Sequence, residues 1–439
     1  MNPRVTRRAA GLRRRLPVLA GAAGVALALA GCDLDLSNPN ALSEEDVLND
    51  PNGLIALAVG LQSQYATSVA EWVRAPALVT DEWGTNTGSL EAYRSLLTGQ
   101  NFDPSFAVVE GPWASAYRVV RTANTLLDNL GGAALDDGTR TGIAALAKTY
   151  RAMALGALAL QFERAPVDVR TPTPVPQPRG VVLDSVAALL ESARSDLAGS
   201  PDLAVFNARV LVPGVDLPNV INAMLARFYL ADGEYQRAIE AAQRVNLASL
   251  SRFTFLGTSV NPIWNISGNS FYVLPLASFR AAAEAGDQRV DFWTRSTAPT
   301  RGNPDSLLVT FNRYTDRNDP FPVYLPDEMR LIQAEAHARL GNLPQARALI
   351  NQVRTQCSSP LAEPVACLPA LTDAQLPDLN AVLRQIAYER RYELYMQGLR
   401  WDDLRRLGAA FAVGAPPVLQ FLPIPSGECR NNPQAGCVN

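Results

Sequence analysis

Apolar side chains along this chain recur mostly at three- and four-residue intervals, the spacing that lines one face of a helix. Trp113, Tyr117, Val120, Asn124 and Leu127 form one such series, and Ile143, Leu146, Tyr150, Met153, Ala157 and Leu160 form another. Leu189, Leu190 and Leu197 mark the apolar side of a third stretch. Near the start, Ser43-Glu44-Glu45-Asp46 has the form of a capping box and leads into an apolar run from Ile55 to Leu61. These patterns predict a mainly α body with little sheet.

Two segments repeat one another. In 226–238 and again in 334–346, an Ala (Ala226, Ala334) stands seven residues before a Gly (Gly233, Gly341). A large residue follows two after the Gly (Tyr235, Leu343) and an Ala five after it (Ala238, Ala346). This is the tetratricopeptide pattern, in which small residues let two antiparallel helices approach and Gly ends the first of them. It predicts helix pairs at 217–246 and 323–356, within a body of four pairs. Such a scaffold is silent about ligand.

Helical periodicity fails in 247–321, where Phe253, Phe255, Trp264, Phe271, Tyr272, Phe292, Trp293 and Phe311 are interspersed with Asn, Ser, Thr, Gly and Pro. Irregular loops with a few short strands are expected there, and irregular chain also in 200–215. A second polar-aromatic region, 80–106, opens with Asp81-Glu82-Trp83-Gly84-Thr85-Asn86. Aromatic faces and amides carried on loops are binding candidates. On that ground Trp83, Asn86, Trp264, Asn265 and Trp293 are the candidate ligand-binding residues; the competing reading of each tryptophan is a core plug.

The first residues change the picture of compartment. Six arginines precede an apolar run, Leu16–Ala30, that ends in Leu29-Ala30-Gly31-Cys32. This is the order of a signal peptide, 1–31, and its apolar run falls short of the ~20 residues a membrane span needs. The ending has the form of a bacterial lipobox, so Cys32 is the expected site of lipidation. The Asp/Asn/Ser/Pro-rich stretch 32–43 reads as a flexible tether, and its acidic start resembles signals that send lipoproteins to the cell surface. Arg7-Arg8 leaves the export route open between the general secretory and twin-arginine systems. The remaining 44–439 reads as a single domain in which 247–321 is a loop-rich insertion, with no second stretch expected to cross a membrane.

Charge and rare residues then exclude chemistry. Of 39 basic and 42 acidic side chains, removal of the six leader arginines leaves 33 against 42, a net charge of −9. A nucleic-acid partner, which needs a basic face, is not expected. Four cysteines remain beyond Cys32: Cys357, Cys367, Cys429 and Cys437. In an exported chain an even count reads as disulfides, and local pairing, Cys357 with Cys367 and Cys429 with Cys437, is the simplest of three connectivities. The rival, a four-thiolate zinc site, normally uses shorter spacings. The single histidine, His337, sits mid-helix, which argues against histidine-rich metal sites and leaves any Ser-His-Asp or Cys-His catalysis to that one side chain. Gly-x-Ser-x-Gly, His-Glu-x-x-His and P-loop patterns are all missing. No enzyme activity, metal or cofactor is expected.

The C-terminal part carries a family resemblance. It contains Tyr388-Glu389-Arg390-Arg391-Tyr392-Glu393-Leu394, then Gly398-Leu399-Arg400-Trp401-Asp402-Asp403-Leu404-Arg405-Arg406, and later Leu422-Pro423-Ile424-Pro425, Glu428 and Asn432-Pro433. Upstream stand Trp113, Tyr117 and Asn124, then Tyr150-Arg151-Ala152, Arg164-Ala165-Pro166-Val167, Asp287-Gln288-Arg289 and Asn312-Arg313-Tyr314. Together these resemble the SusD/RagB family of outer-membrane nutrient-binding lipoproteins, with one departure, Gln397 where the family has Glu. The resemblance implies a SusD-like helical-repeat fold with irregular ligand-binding loops. It implies a non-enzymatic role in capturing an oligosaccharide or peptide ligand, with the protein held in the membrane through its lipid anchor (palmitate) and partnered with a TonB-dependent outer-membrane transporter. Two other functions stay open: an envelope scaffold lipoprotein of tetratricopeptide type, and a glycoside hydrolase. The residues themselves read as one helix over 386–406, along which Glu389, Arg390 and Glu393, and Arg400 and Asp403, stand at the i,i+3 and i,i+4 spacings that let opposite charges pair, forming a salt-bridged seam under the C-terminal loops.

Overall fold

The computed structural model describes residues 44–86, 88–200, 202–269, 272–296, 309–414 and 416–437. The expected leader, Cys32 and the tether lie outside these residues. The chain divides at residues 47 and 48. Before that point only the start of a helix, Glu44–Asn49, is described. The rest is one unit, 48–439.

Asp50 then caps the first long helix, α1 (Pro51–Ala66), its side chain accepting from the Asn52 N–H, with Pro51 in the first turn where no N–H is needed. α2 (Val69–Val79) follows and leads into a short strand, β1 (Trp83–Thr85). Two long helices, α3 (Ala107–Asn129) and α4 (Asp137–Gln161), fold back on each other, and α5 (Arg179–Gly199) packs against α4. By length and composition α4 could cross a membrane, which corrects the expectation that no second stretch could. Sandwiched between α3 and α5, it is a core helix.

The first repeat forms α6 (Leu217–Asp232) and α7 (Tyr235–Gln243). Strands β2 (Val273–Pro275), β3 (Thr294–Ser296) and β4 (Val309–Phe311) come from the irregular region. The second repeat forms α8 (Pro326–Arg339) and α9 (Leu343–Thr355), and the C-terminal part forms α10 (Leu379–Glu393) and α11 (Arg400–Leu407). Both expected repeat pairs are present. Gly233 and Gly341 end their first helices with φ of +84° and +83°, a conformation that side chains with a Cβ resist. Ala226, Ala238, Ala334 and Ala346 are wholly buried, as close helix contact demands.

The described strands pair only two by two. β1 runs antiparallel to β2, with Trp83 opposite Pro275 and Thr85 opposite Val273, and β3 runs antiparallel to β4. Within 200–215 the expectation of irregular chain needs correcting at 204–209, where a short helix packs Phe206 against Gly142 of α4. One large apolar core runs through the body, and a smaller one joins α8, α9 and α10 around Ala334, Ile350, Val382 and Ile386.

Both expected disulfides are present, Cys357–Cys367 and Cys429–Cys437. The local pairing therefore takes the four thiols that the zinc alternative required. His337 lies half-exposed on α8, and burial lowers its pKa.

Candidate ligand-binding face

The five candidate residues divide. Trp83 and Trp293 are corrected to core plugs, at 0% and 1% exposure. Trp83 meets the edge of Phe311 at 5.6 Å between ring centroids. Trp293 donates its indole N–H to the Tyr392 carbonyl at 2.8 Å and lies against Phe292 and Tyr395. Neither ring offers a face to a ligand.

Asn86, Trp264 and Asn265 lie nearer the surface. Asn86 follows β1, and its side-chain oxygen accepts from the Gly88 N–H at 2.9 Å, forming an Asx turn. The Asn86 N–H donates to Ser89 Oγ at 2.9 Å, and Ser89 Oγ donates in turn to the Tyr272 carbonyl at 2.5 Å. This fastens the loop after β1 to the residue before β2. Tyr272 is 39% exposed and stands edge-on to Tyr93 at 6.4 Å.

Trp264 ends a one-turn helix capped by Asn261. The buried Asn261 side chain accepts from the N–H groups of Ile263 and Trp264 at 2.8 and 3.2 Å and donates to the Asp319 carbonyl at 2.7 Å. Trp264 is half-buried against Gly268, where an added Cβ would come within 2.9 Å of the indole. Asn265 is exposed on the next turn, which packs against β2. Tyr272, noted in the sequence only as one aromatic of 247–321, is thus an exposed member of this face, and the buried Ser89 and Tyr93 support it from beneath. Tyr272 belongs to the same polar-aromatic stretch as Trp293, and nothing in the local pattern separates the exposed ring from the buried one.

The motif residues near the C-terminus build something different. The single helix expected over 386–406 is corrected to α10 and α11, broken by a turn at 394–399 in which Met396 and Gly398 have φ of +63° and +74°. The break reassigns the ion pairs expected along one helix. Arg390 reaches across the turn to Asp403 at 2.8 Å, and Arg400 pairs with Asp81, not Asp403. Glu389 lies between Arg289 and Arg354, 2.7 Å from each, and Arg406 joins Glu335 and Asp402 at 2.8 and 2.9 Å. Burial pushes the Asp403 carboxyl up, but the Arg390 and Arg406 guanidiniums outweigh it and hold its pKa below the usual range. Glu393 goes the other way: buried, with no hydrogen bond to either carboxyl oxygen and with Asp327 nearby, its pKa is held well above the usual range. These groups form a largely buried seam that joins α8, α9, α10 and α11. Within it Glu389, Arg390, Glu393 and Asp403 are not placed to meet a ligand.

Two larger cavities lie elsewhere. One, of about 880 Å³, runs between Phe102, Arg164 and the segment Leu419–Ile424; the other, of about 730 Å³, follows residues 203–218. None of the five candidate residues lines either. Among the described residues there is no group of three or more His, Cys, Asp or Glu able to hold a metal ion.

Residues 283–417, which include most of the buried seam, match the SusD family. A SusD superfamily protein from Bacteroides fragilis superposes with a TM-score of 0.69 at 19% identity, over 89% of this chain and 100% of that one. A SusD superfamily protein from Bacteroides thetaiotaomicron gives 0.68 at 16% identity, over 88% and 98%. A SusD-like carbohydrate binding protein from Bacteroides vulgatus gives 0.63 at 17%, over 80% and 82%. No curated protein sequence matches.

Proposed function

We propose, from the premise that this chain is SusD/RagB-like in its C-terminal sequence and in its overall fold, that it is a non-enzymatic binding protein for glycans at the outer membrane. The observation that carries this reading is the polar-aromatic face beside β1 and β2. There Trp264 and Tyr272 offer ring surface, with the half-buried Asn86 and the exposed Asn265 beside them. Aromatic faces cover the apolar side of a sugar ring with few rotors to immobilise, and amides take its hydroxyls. A solved relative of the same fold is described as a carbohydrate binding protein, which supports glycan over peptide as the ligand class.

In the same reading Cys32 carries the lipid, 32–43 is the tether, and 44–439 is one binding domain that passes its ligand to a TonB-dependent transporter. A flexible tether of twelve residues spans roughly 17–21 Å, which keeps the domain close over a barrel in the same membrane and raises its effective concentration there.

Glycan-array and calorimetric binding to the mature chain test the ligand class. Trp264→Ala and Tyr272→Ala are expected to weaken glycan binding about tenfold or more with Tm unchanged. Equal losses of binding and Tm would return these residues to the core and remove the site. For the partner, the protein is expected to copurify with a transporter barrel from detergent-solubilised outer membrane. Purification alone, together with full nutrient uptake by a Cys32→Ala strain, would end the transport role.

A further inference from the structure

A smaller cavity, of about 230 Å³, lies apart from the glycan-binding face, between α10 and the turn Ala409–Phe411. Its wall includes Arg384, Tyr388, Arg391, Arg400 and Phe411. We propose that it is a subsite for the carboxylate of an acidic sugar unit, which Arg391 and Arg384 grip while Phe411 covers the ring.

Charge is the first argument. Arg391 and Arg400 are each 2% exposed, and the carboxylate that faces both is Asp81. The neighbouring Glu82 does not add a second negative charge at neutral pH, because burial, and then Asp81, push its carboxyl up to about 8. Arg384 is exposed on the rim and has no hydrogen-bond or ion-pair partner among the described residues. Two buried guanidiniums, with the exposed Arg384 at the rim, therefore share one carboxylate. A buried charge is costly unless paired, and an anion in the cavity supplies the missing partner.

Hydrogen bonding is the second. Arg400 is engaged: Nε and Nη2 hold Asp81, Nη1 donates to the Ala387 carbonyl, and Nη2 also reaches the Phe411 carbonyl. Arg391 is less occupied. Nε lies 3.1 Å from Asp81 Oδ2, Nη1 donates to Tyr392 Oη at 3.0 Å and Nη2 donates to the Asp81 carbonyl at 3.2 Å. Each terminal nitrogen carries a second hydrogen, and none of these bonds uses it. Paired N–H groups of this kind match a carboxylate in a way that a lysine does not.

Neighbouring carboxylates are already matched. Tyr388 Oη donates to Asp287 Oδ2 and accepts from the Glu284 N–H, both at 2.9 Å. Asp287 is held by Arg289 and Glu284 by Arg354, each at 2.7 Å. The size argument sets the ligand. Drug-sized ligands occupy roughly 300–1,000 Å³, so a cavity just below that range takes one sugar unit. Ala282, Ala387 and Val413 complete an apolar wall beside the Phe411 ring.

The sugar half of this proposal rests on the glycan reading; the anion half does not. Calorimetry on the mature chain with D-galacturonate and D-galactose tests it, since the two differ only at the C6 carboxylate. Galacturonate is expected to bind at least tenfold more tightly and to weaken as salt is raised. Arg384→Glu is expected to cost tenfold or more in galacturonate affinity at unchanged Tm, and Phe411→Ala to weaken galacturonate but not acetate. Equal affinity for the two sugars, or an Arg384→Glu variant that binds galacturonate like the parent, overturns the subsite. Acetate and galacturonate binding alike, with no effect of Phe411→Ala, overturns the sugar assignment. Trp264→Ala separates the two sites. Galacturonate binding that survives it supports an independent subsite. Neutral glycan binding that Trp264→Ala abolishes, in a protein that ignores galacturonate, removes the subsite and leaves the glycan reading standing.

Discussion

Arg400 closes on Asp81 across 319 residues of chain, with Nε 2.7 Å from Oδ1 and Nη2 2.9 Å from Oδ2. The Val413 N–H donates to the same carboxylate at 2.9 Å, so one buried side chain ties the loop before β1 to both α11 and the segment beyond it. Burial pushes the Asp81 carboxyl up, but Arg400 and Arg391 outweigh it and hold its pKa below the usual range. Asp81→Ala strands two buried guanidiniums, and breaking a buried pair in this way costs about 3–5 kcal/mol. Urea unfolding is expected to show that loss. Arg400→Lys is expected to recover little of the pair's contribution, because an ammonium cannot match both oxygens.

Glu82 makes stability fall with rising pH. Burial is the main cause of its high pKa, and the repulsion from Asp81 adds to it, raising the group from 4.5 to about 8. Below 4.5 the folded and unfolded chains both hold the proton and the shift costs nothing. Between 4.5 and 8 the unfolded chain releases a proton that the folded chain keeps, so this group lowers stability until the cost levels off above about 8. Glu82→Gln removes the dependence. The stability of this variant relative to the parent is expected to improve by roughly 3 kcal/mol between pH 5 and pH 7.5, as read from chemical unfolding at each pH. A flat difference across that range would show that Glu82 is not protonated in the fold.

Gly398 has φ of +74°, and a Cβ there would come 2.4 Å from the Trp72 carbonyl oxygen. The obstacle is backbone and cannot swing aside. Gly398→Ala is therefore expected to destabilise by about 2 kcal/mol or more, and Gly60→Ala, with open space around it, to leave Tm the same or higher.

Peptide mapping without reductant is expected to give two cross-linked pairs, Cys357 with Cys367 and Cys429 with Cys437. Each closes a short loop, which stabilises by roughly 2–3 kcal/mol. Cys429→Ser/Cys437→Ser is expected to lower Tm, and because both cysteines line the 880 Å³ cleft, proteolysis is expected to accelerate first in the C-terminal tail.

What the sequence determined by itself was local. Helix existence, the two repeat pairs and the disulfide partners all rest on spacings of a few residues, where periodicity, caps and short loops restrict the chain directly. Residues 386–406 show the limit of that reasoning. Their helical spacing is genuine, yet Gly398 leaves the helix because its backbone packs against Trp72. The turn then sends Arg390, Arg400 and Arg406 to partners on other elements. Tertiary structure alone decided which aromatics face solvent. Trp83 and Trp264 have similar polar neighbours in sequence. One is sealed by Phe311 and the core while the other stays half-exposed, because burial depends on what distant segments bring to each side of a ring, and that packing leaves no local trace.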